Sequence, residues 1–292
     1  MMKPLISIVT PTFNRAKTLP ALFVSLQKQA SKNFEWLIID DGSQDQTSEV
    51  VKSFYNKDFT IKYLKKENGG KHTALNRVFS EIQTELTFIV DSDDVLTVDA
   101  IAEIEKDWNM YRNQNLCGIS YLRGYSENNP IGDLFPKDYV VDNFISLRFN
   151  KHINGDKAEV WVSKYLKAHL YPVFEGEIFF GESYLWIKLA KERDMLFRNK
   201  IIYITEYLEA GLSRSGRALR IKCPKGGMTN ALMMMSSDFK IEQRIKGAIL
   251  YSCYSCFAKQ TFKDTLNNPY FLLTLLCYPL GIFLYRYWRK YL

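Results

Sequence analysis

Glycine and proline are scarce in this sequence, with 15 and 9 residues among 292. No internal repeat or low-complexity segment interrupts it, so collagen-like, mucin-like and intrinsically disordered classes are excluded. Five cysteines in a chain of this length do not indicate a disulfide framework. Cys253 and Cys256 form a lone pair, and no second Cys or His pair supplies the remaining ligands of a zinc site. We therefore expect two buried thiols on one helical face.

The sequence also lacks a long uninterrupted apolar run. The run at residues 5–10 is too short for the hydrophobic region of a signal peptide, so we expect the bulk of the chain in the cytoplasm. The longest run, Tyr270–Tyr285, has 16 residues and contains Pro279 and Gly281, whereas a membrane-spanning helix needs about 20 apolar residues. This pattern favours a peripheral anchor at the inner face of the cell membrane over a true span. A helix in a protein interface, including a homo-oligomer contact, is the alternative.

The net charge of +7 is concentrated at one end of the chain. Residues 1–100 carry 12 Lys and Arg against 13 Asp and Glu, and residues 101–213 carry 14 against 16. Residues 214–292 carry 13 against 3, a local charge of +10. This distribution indicates an anionic partner for the C-terminal quarter, such as an anionic bilayer or a lipid diphosphate. Nucleic acid is a poorer match, and we expect none.

Short apolar runs alternate with helical patterns through the first hundred residues, which is typical of βαβ units and a parallel sheet. The sequence predicts an α/β fold with a mostly parallel, twisted sheet flanked by helices over residues 1–212. For residues 213–292 the sequence predicts a basic, helical C-terminal region for membrane association or oligomerisation. The predicted strands cover residues 5–10, 34–39, 60–64, 86–90 and 195–204, and the predicted helices cover a segment from residue 19 and residues 47–55, 72–82 and 182–193.

An acidic cluster, Asp91-Ser92-Asp93-Asp94, follows the fourth strand. Because the carboxyl ends of parallel strands share one edge of the sheet, this cluster lies where open α/β sheets bind ligands. Asp91 and Asp93 could both reach one Mg²⁺ or Mn²⁺ ion, which proteins hold through one or two carboxylates together with substrate phosphates. The alternative is a solvated acidic turn that caps the next helix.

Two further turns end at the same edge. Asp40-Asp41-Gly42-Ser43 follows the second strand, and its carboxylates could accept hydrogen bonds from a nucleobase, or form a simple turn before a helix. Asn68-Gly69-Gly70-Lys71 precedes a helix, and Lys71 could contact phosphate or base. Each turn alone is a weak signal.

Together with Thr10-Pro11-Thr12-Phe13-Asn14 at the end of the first strand, these motifs resemble glycosyltransferase family 2 in order and spacing across about residues 4–210. The resemblance implies a glycosyltransferase-A fold, a UDP-sugar donor, a divalent metal (Mn²⁺ or Mg²⁺) and transfer with inversion by direct displacement. It implies that Asp41, with Asp40 nearby, binds uracil, that Asp91 contacts the ribose or metal region, and that Asp93 coordinates the metal. The other implied nucleotide-binding residues are Pro11, Thr12, Asn14, Lys71 and Ser92.

An inverting transferase also needs a general base for the acceptor hydroxyl. The resemblance implies a Glu-Asp pair at the start of a helix in the second half, and the matching residues are Glu182 and Ser183. Because serine is too weakly basic, we expect Glu182 to be the base, its alternative role being a first-turn carboxylate favoured by the helix dipole. Other candidates in the same half are Asp156, Glu159, Glu175 and Glu177.

Additional diphosphate or acceptor contacts are predicted further along the chain. Trp186 lies one turn beyond Glu182 and could stack on a sugar face or belong to the core. Ser213, Arg214 and Arg217 lie in a glycine-flanked basic segment that suits a loop closing over a diphosphate, or a solvated loop beside a membrane surface.

The sequence thus predicts an inverting, metal-dependent glycosyltransferase that extends a lipid-linked or protein-linked glycan in surface polysaccharide or glycoconjugate synthesis. A catalytically degenerate member that binds nucleotide or a partner is the alternative, because Ser183 departs from the pattern. A sugar nucleotidyltransferase is less compatible, since the first strand is not followed by a glycine-rich, Arg-containing loop.

Overall fold

The computed structural model describes residues 3–205 and 212–291. The strands are β1 Ile6–Thr12, β2 Phe34–Asp40, β3 Thr60–Lys65, β4 Leu86–Ile89, β5 Val95–Leu96, β6 Gly118–Ser126, β7 Asn129–Pro130, β8 Val140–Asp142, β9 Lys157–Val162 and β10 Met195–Ile204. The α-helices are α1 Leu19–Gln27, α2 Thr47–Ser53, α3 Lys71–Phe79, α4 Ala100–Tyr111, α5 Ser163–Ala168, α6 Ser183–Ala190, α7 Leu212–Lys222, α8 Pro224–Met234, α9 Ile241–Phe257, α10 Phe262–Leu266 and α11 Phe271–Trp288.

One mixed sheet runs through the molecule in the order β3-β2-β1-β4-β9-β6-β10-β5. The four strands from the first ninety residues, β3, β2, β1 and β4, are parallel neighbours. β9 then runs antiparallel to both β4 and β6, while β10 and β6 are parallel. The expected α/β fold with a mostly parallel sheet and flanking helices is therefore confirmed, and the antiparallel β9 in its middle is a feature that the sequence pattern did not predict.

Helices cover both faces of the sheet, which explains why β1 and β2 are buried along their whole length. Alternate residues of these strands belong to two separate hydrophobic clusters, with Val9 and Leu37 on one face and Ile8 and Trp36 on the other. Burying both faces leaves the strand ends and their turns as the accessible part of the sheet. The site is built there.

The C-terminal helices pack on one another around a third apolar cluster, formed by Met228, Ala231, Met235, Ala248, Tyr251, Tyr254 and Cys277. This confirms a helical C-terminal region. Cys253 and Cys256 both lie on α9 as free thiols, and burial raises the pKa of Cys253 to about 12, so this thiol is inert.

The apolar run predicted at residues 270–285 is a single helix, α11, which continues through Pro279. Within the described residues it is the one helix whose length and composition would suffice to cross a membrane. Its 18 residues have a mean hydropathy of 1.3, and 17% of them are buried. Most of its surface is therefore uncovered by the rest of the chain.

Candidate active site

The turns after β1 and β2 lock together at the carboxyl edge of the sheet. The amide of Asp41 donates to the carbonyl of Thr12 at 2.9 Å, and the amide of Asn14 donates to Ser43 Oγ at 2.8 Å. The Asn14 side chain in turn accepts from the amide of Gln44 at 2.8 Å. Asn14 thus holds the second turn against the first, and Pro11 and Thr12 are buried residues at the end of β1.

Asp40 has no exposed surface. Its carboxylate accepts a 2.7 Å hydrogen bond from the amide of Ser43 and another from the hydroxyl of Tyr63. Burial, together with the nearby Asp40 charge, raises the pKa of Tyr63. Asp40 therefore holds the turn, and the predicted contact between Asp40 and a nucleobase is not supported, because a fully enclosed carboxylate cannot reach a ligand.

Asp41 joins the second turn to the glycine turn before α3. Its carboxylate accepts from the amides of Gly69 and Gly70 at 3.0 and 2.7 Å, and it pairs with Lys66 at 2.7 Å. Asp41 is 5% exposed. The turns expected to bind the nucleoside are therefore one hydrogen-bonded unit, and Asp41 lies at its centre.

Lys71, at the start of α3, bridges two of the predicted site carboxylates. Its Nζ lies 2.5 Å from Asp91 Oδ1 and 2.5 Å from Glu182 Oε1. Burial alone would lower the pKa of Lys71, but the charges of Asp91 and Glu182 outweigh it and raise that pKa. In the described part of the chain Glu182 makes no side-chain capping bond to α6, although it precedes that helix. The Glu182 carboxylate is therefore paired with Lys71 and does not cap α6. This pairing favours the catalytic role over the helix-dipole alternative.

Asp91 is held by a second cation, Arg123 of β6, at 3.4 Å. Burial would raise the pKa of Asp91, but Lys71 and Arg123 outweigh it and lower that pKa. The Arg123 guanidinium lies 4.0 Å from the ring centroid of Tyr203 on β10. Arg123 and Tyr203 were missed by sequence reasoning, because neither belongs to a motif and only the sheet brings β6 and β10 beside β4.

Tyr203 ties the acidic cluster to the sheet. Its hydroxyl accepts from the amide of Asp91 at 2.8 Å and donates to Asp94 Oδ2 at 2.8 Å. Burial, and next the charge of Asp91, raises the pKa of Asp94 to about 7. Asp94 and Ser92 are therefore buried residues of the turn after β4, and Asp94 fixes this turn to β10 through Tyr203.

Asp93 differs from Asp91 in its partners: the two side chains are similarly exposed, at 23% and 27%, but Asp93 faces one cation, Arg15 at 3.7 Å, whereas Asp91 is paired with both Lys71 and Arg123. Across residues 3–205 and 212–291, no group of three or more His, Cys, Asp or Glu side chains is arranged to hold a metal ion. A divalent ion bound at Asp93 would therefore need ligands from a substrate, which fits a cation carried by a nucleoside diphosphate.

The alternative base candidates lie in different surroundings. Burial raises the pKa of Glu159 on β9 to about 7, although Arg148 and Arg123 oppose this. Glu177 uses both carboxylate oxygens to accept backbone amides of α8. Glu175 and Asp156 are exposed. Of the five candidates, Glu182 is the carboxylate joined to Asp91 through a shared lysine.

Trp186 and Arg217, two of the remaining predicted contacts, lie outside this cluster. Trp186 is 8% exposed and stacks on Trp161, with the ring centroids 4.5 Å apart and the planes at 19°. It belongs to the core, so the sugar-stacking role predicted for it is not supported. Arg217 is exposed, and its guanidinium lies 5.6 Å from the Trp288 ring of α11. The side chains of Ser213 and Arg214 lie outside the described residues.

Two solved structures resemble this fold. The chain superposes on residues 1–349 of TarS from Staphylococcus aureus in complex with UDP with a TM-score of 0.64 and 16% identity, covering 98% of this chain and 90% of that one. It superposes on the mannosyltransferase PcManGT from Pyrobaculum calidifontis in complex with GDP-Man and Mn²⁺ with a TM-score of 0.59, covering 99% and 83%. The expected glycosyltransferase-A fold is thus confirmed.

Sequence comparison gives the family. A GalNAc(5)-diNAcBac-PP-undecaprenol beta-1,3-glucosyltransferase from Campylobacter jejuni is 27% identical over 197 residues, which are 58% of this chain and 62% of that protein. The alignment thus spans less than two thirds of that relative. The sequence profile of the family described as "Glycosyl transferase family 2" matches residues 7–160, more than half of the chain. With the fold and the site motifs in the expected order, the chain is a glycosyltransferase and belongs to glycosyl transferase family 2.

Proposed function

We propose that this protein transfers a sugar from a UDP-sugar to a glycan acceptor by inverting displacement, with a divalent metal on the diphosphate. The observation that carries the proposal is the pairing of Glu182 with Asp91 through Lys71 at the carboxyl edge of the sheet. It brings a candidate base into contact, through one cation, with the acidic cluster expected to receive the donor diphosphate.

The base is Glu182. In an inverting transfer a carboxylate takes the proton of the acceptor hydroxyl while its oxygen attacks the anomeric carbon. The Glu182 side chain is 36% exposed, so an acceptor can approach it, while Lys71 fixes one carboxylate oxygen. Glu177, five residues before Glu182, attaches this part of the chain to α8 by accepting from the amides of Lys225 and Gly226.

Asp93 would hold the metal. Its carboxylate has one cation nearby, at 3.7 Å, whereas both oxygens of Asp91 are already paired, Oδ1 with Lys71 and Oδ2 with Arg123. When bound, Mn²⁺ or Mg²⁺ would neutralise the charge that develops on the departing diphosphate. Arg15 faces Asp93 at 3.7 Å and can add positive charge there.

UDP is the nucleotide we assign to the donor, with Thr12, Asp41 and the Gly69–Gly70 turn around the nucleoside. The TarS structure contains UDP, whereas the PcManGT structure contains GDP-Man, so nucleotide identity is a point to measure. The decisive experiment is nucleotide release from a panel of UDP-sugars and GDP-sugars, with Mn²⁺ or with EDTA. We expect slow, metal-dependent hydrolysis of one UDP-sugar, which would name the donor.

Release from a GDP-sugar alone would contradict the UDP assignment. Tight UDP binding without release from any donor or with any acceptor would instead favour the binding-only alternative. The observation that keeps this alternative open is Ser183, which stands at the first position of α6 where an aspartate is expected.

The acceptor is a lipid-linked glycan at the inner membrane face, and α11 is the contact with the bilayer. Leu272, Leu276, Leu280 and Phe283 are 55–77% exposed and recur at helical spacing along it. Arg286, Arg289 and Lys290 follow at its end. An apolar stripe with adjacent cations is typical of helices that lie in an anionic membrane interface. The name of the Campylobacter relative describes an undecaprenol-linked substrate, which supports the same acceptor class.

We expect the double substitution Leu276→Glu and Phe283→Glu to weaken co-sedimentation with phosphatidylglycerol vesicles by about tenfold or more, since each exposed apolar side chain contributes ~1.5–3 kcal/mol when buried. Met110→Glu is the matched control, because Met110 is 60% exposed on α4. Equal binding by both variants would exclude α11 as the membrane contact and favour an interface between copies.

A further inference from the structure

The N-terminus of α8 is capped by a distant residue. Pro224 begins the helix and has no amide hydrogen, so the next free donors are the amides of Lys225 and Gly226. Both donate to the carboxylate of Glu177, at 2.7 and 2.8 Å. The amide of Gly227 already bonds to the carbonyl of Cys223 at 3.2 Å. Glu177, 9% exposed, therefore satisfies the two donors that this helix leaves open.

The same helix touches the residues that follow Glu177. A Cβ at Gly226 would lie 3.0 Å from the Phe180 ring, and a Cβ at Gly181 would lie 3.3 Å from Nδ2 of Asn230 on α8. The backbones approach this closely because both positions are glycine. Residues 177–182 are thus seated on α8 along most of their length, from Glu177 to the residue before Glu182.

The nucleotide turn holds this segment from the other side. A Cβ at Gly70 would lie 1.8 Å from the carbonyl oxygen of Ile178, and Gly70 has a φ of +92°, a conformation that other residues rarely adopt. The His72 ring lies 6.0 Å from the Phe180 ring. The segment is therefore clamped between α8 and the Gly69–Gly70 turn, and it ends at Glu182.

We propose that Glu177 is a positioning residue for the transfer reaction, fixing Glu182 by anchoring the segment of residues 177–182 to α8. The inference rests on the proposed role of Glu182 as the base. Since α8 packs against α9, and α9 against α11, the C-terminal helices would form part of the catalytic framework as well as a surface for partners.

The test is a double-mutant cycle on the full-length protein, with turnover measured as nucleotide release. We expect Glu177→Ala to lower kcat by ~10–100-fold, the size of effect that a displacement of about 1 Å has on a catalytic group. UDP affinity, measured by calorimetry, should change less than about twofold. In a Glu182→Gln background the same substitution should cause no further loss, because a positioning residue has no effect once the group it positions is removed.

Thr261→Ala is the matched control. Thr261 Oγ1 caps α10 in the same helical region by accepting the amide of Asp264 at 3.2 Å, so its loss removes a cap without touching the segment of residues 177–182. This variant should keep its turnover. If Glu177→Ala does not fold, Glu177→Gln replaces it in the cycle, since its carbonyl oxygen keeps one of the two bonds, and its smaller loss must also vanish in the Glu182→Gln background.

An unchanged kcat in Glu177→Ala would overturn the inference, and so would an equal fold-loss in both backgrounds, which is the signature of a merely structural role. Near-normal turnover of Glu182→Gln alone would overturn the base assignment itself. The two failures are read from different arms of the cycle and are therefore distinguishable.

Discussion

Replacement of Glu182 by glutamine should lower kcat by ~10²–10⁴-fold, the usual contribution of a general base. The substitution keeps the shape of the side chain, and its amide oxygen can still accept from Lys71, so the donor should bind with unchanged affinity. Separate measurements of turnover and of UDP binding test this, because removal of a base affects the chemical step and not the ground-state complex.

Glu192→Gln is the control for this variant. It makes the same chemical change two residues beyond the end of α6, where Glu192 is exposed and pairs with His169 at 2.7 Å. Its turnover should match that of the unmodified protein. If Glu182→Gln also keeps near-normal turnover, Glu182 is not the base, and Glu159, a half-buried carboxylate whose pKa is raised to about 7, becomes the next candidate.

Replacement of Asp93 by alanine should remove the metal-dependent part of UDP binding. The Asp93 carboxylate faces only Arg15, at 3.7 Å, among the ion pairs of the described residues, while Asp91 stays paired with Lys71 and Arg123 and cannot replace it without breaking those pairs. In calorimetric titrations, the UDP affinity of the variant with Mn²⁺ should fall to its value with EDTA. The metal-free affinity should be equal or greater, since the loss of Asp93 leaves Arg15 available for the diphosphate.

Asp99→Ala is the control variant. Asp99 lies six residues further along the chain than Asp93, and its carboxylate is paired with Lys200 at 2.6 Å. It should retain the full difference between Mn²⁺ and EDTA. Should Asp93→Ala retain that difference too, the metal is not held by Asp93.

The first half of the fold could be predicted from local signals. β1, β2, β3 and β4 lie within two residues of the predicted runs. β1, β2 and β4 are short apolar segments buried along their whole length, whereas the edge strand β3 is partly exposed and mixes apolar residues with lysines. Parallel strands that are buried on both faces leave this signal whatever their neighbours are. The motifs after these strands therefore pointed to the right edge of the sheet.

The second half could not be predicted in the same way. β6 and β9 pair antiparallel with each other, and β9 inserts between β4 and β6. Such pairing is set by contacts between distant segments and not by the period of one segment. Arg123 and Tyr203 reached the acidic cluster only through this pairing, so no local pattern marked them.

Burial also decided which predicted residues serve the site. Asp40 and Asp41 are adjacent in the sequence and chemically identical, but Asp40 is enclosed by Tyr63 while Asp41 joins the two turns. Trp186 follows Glu182 by one turn and faces Trp161 in the core. Neighbouring side chains of one element point to different surroundings, and the tertiary structure chooses between them.

The sequence by itself determined the class of sheet, the edge at which the acidic turns meet and the family, because apolar period and turn chemistry are local properties of the chain. Only the tertiary structure decided that Lys71 joins Asp91 to Glu182, and that Glu177 attaches residues 177–182 to α8. These contacts connect residues that are far apart in the chain, and their geometry follows from how helices and strands pack.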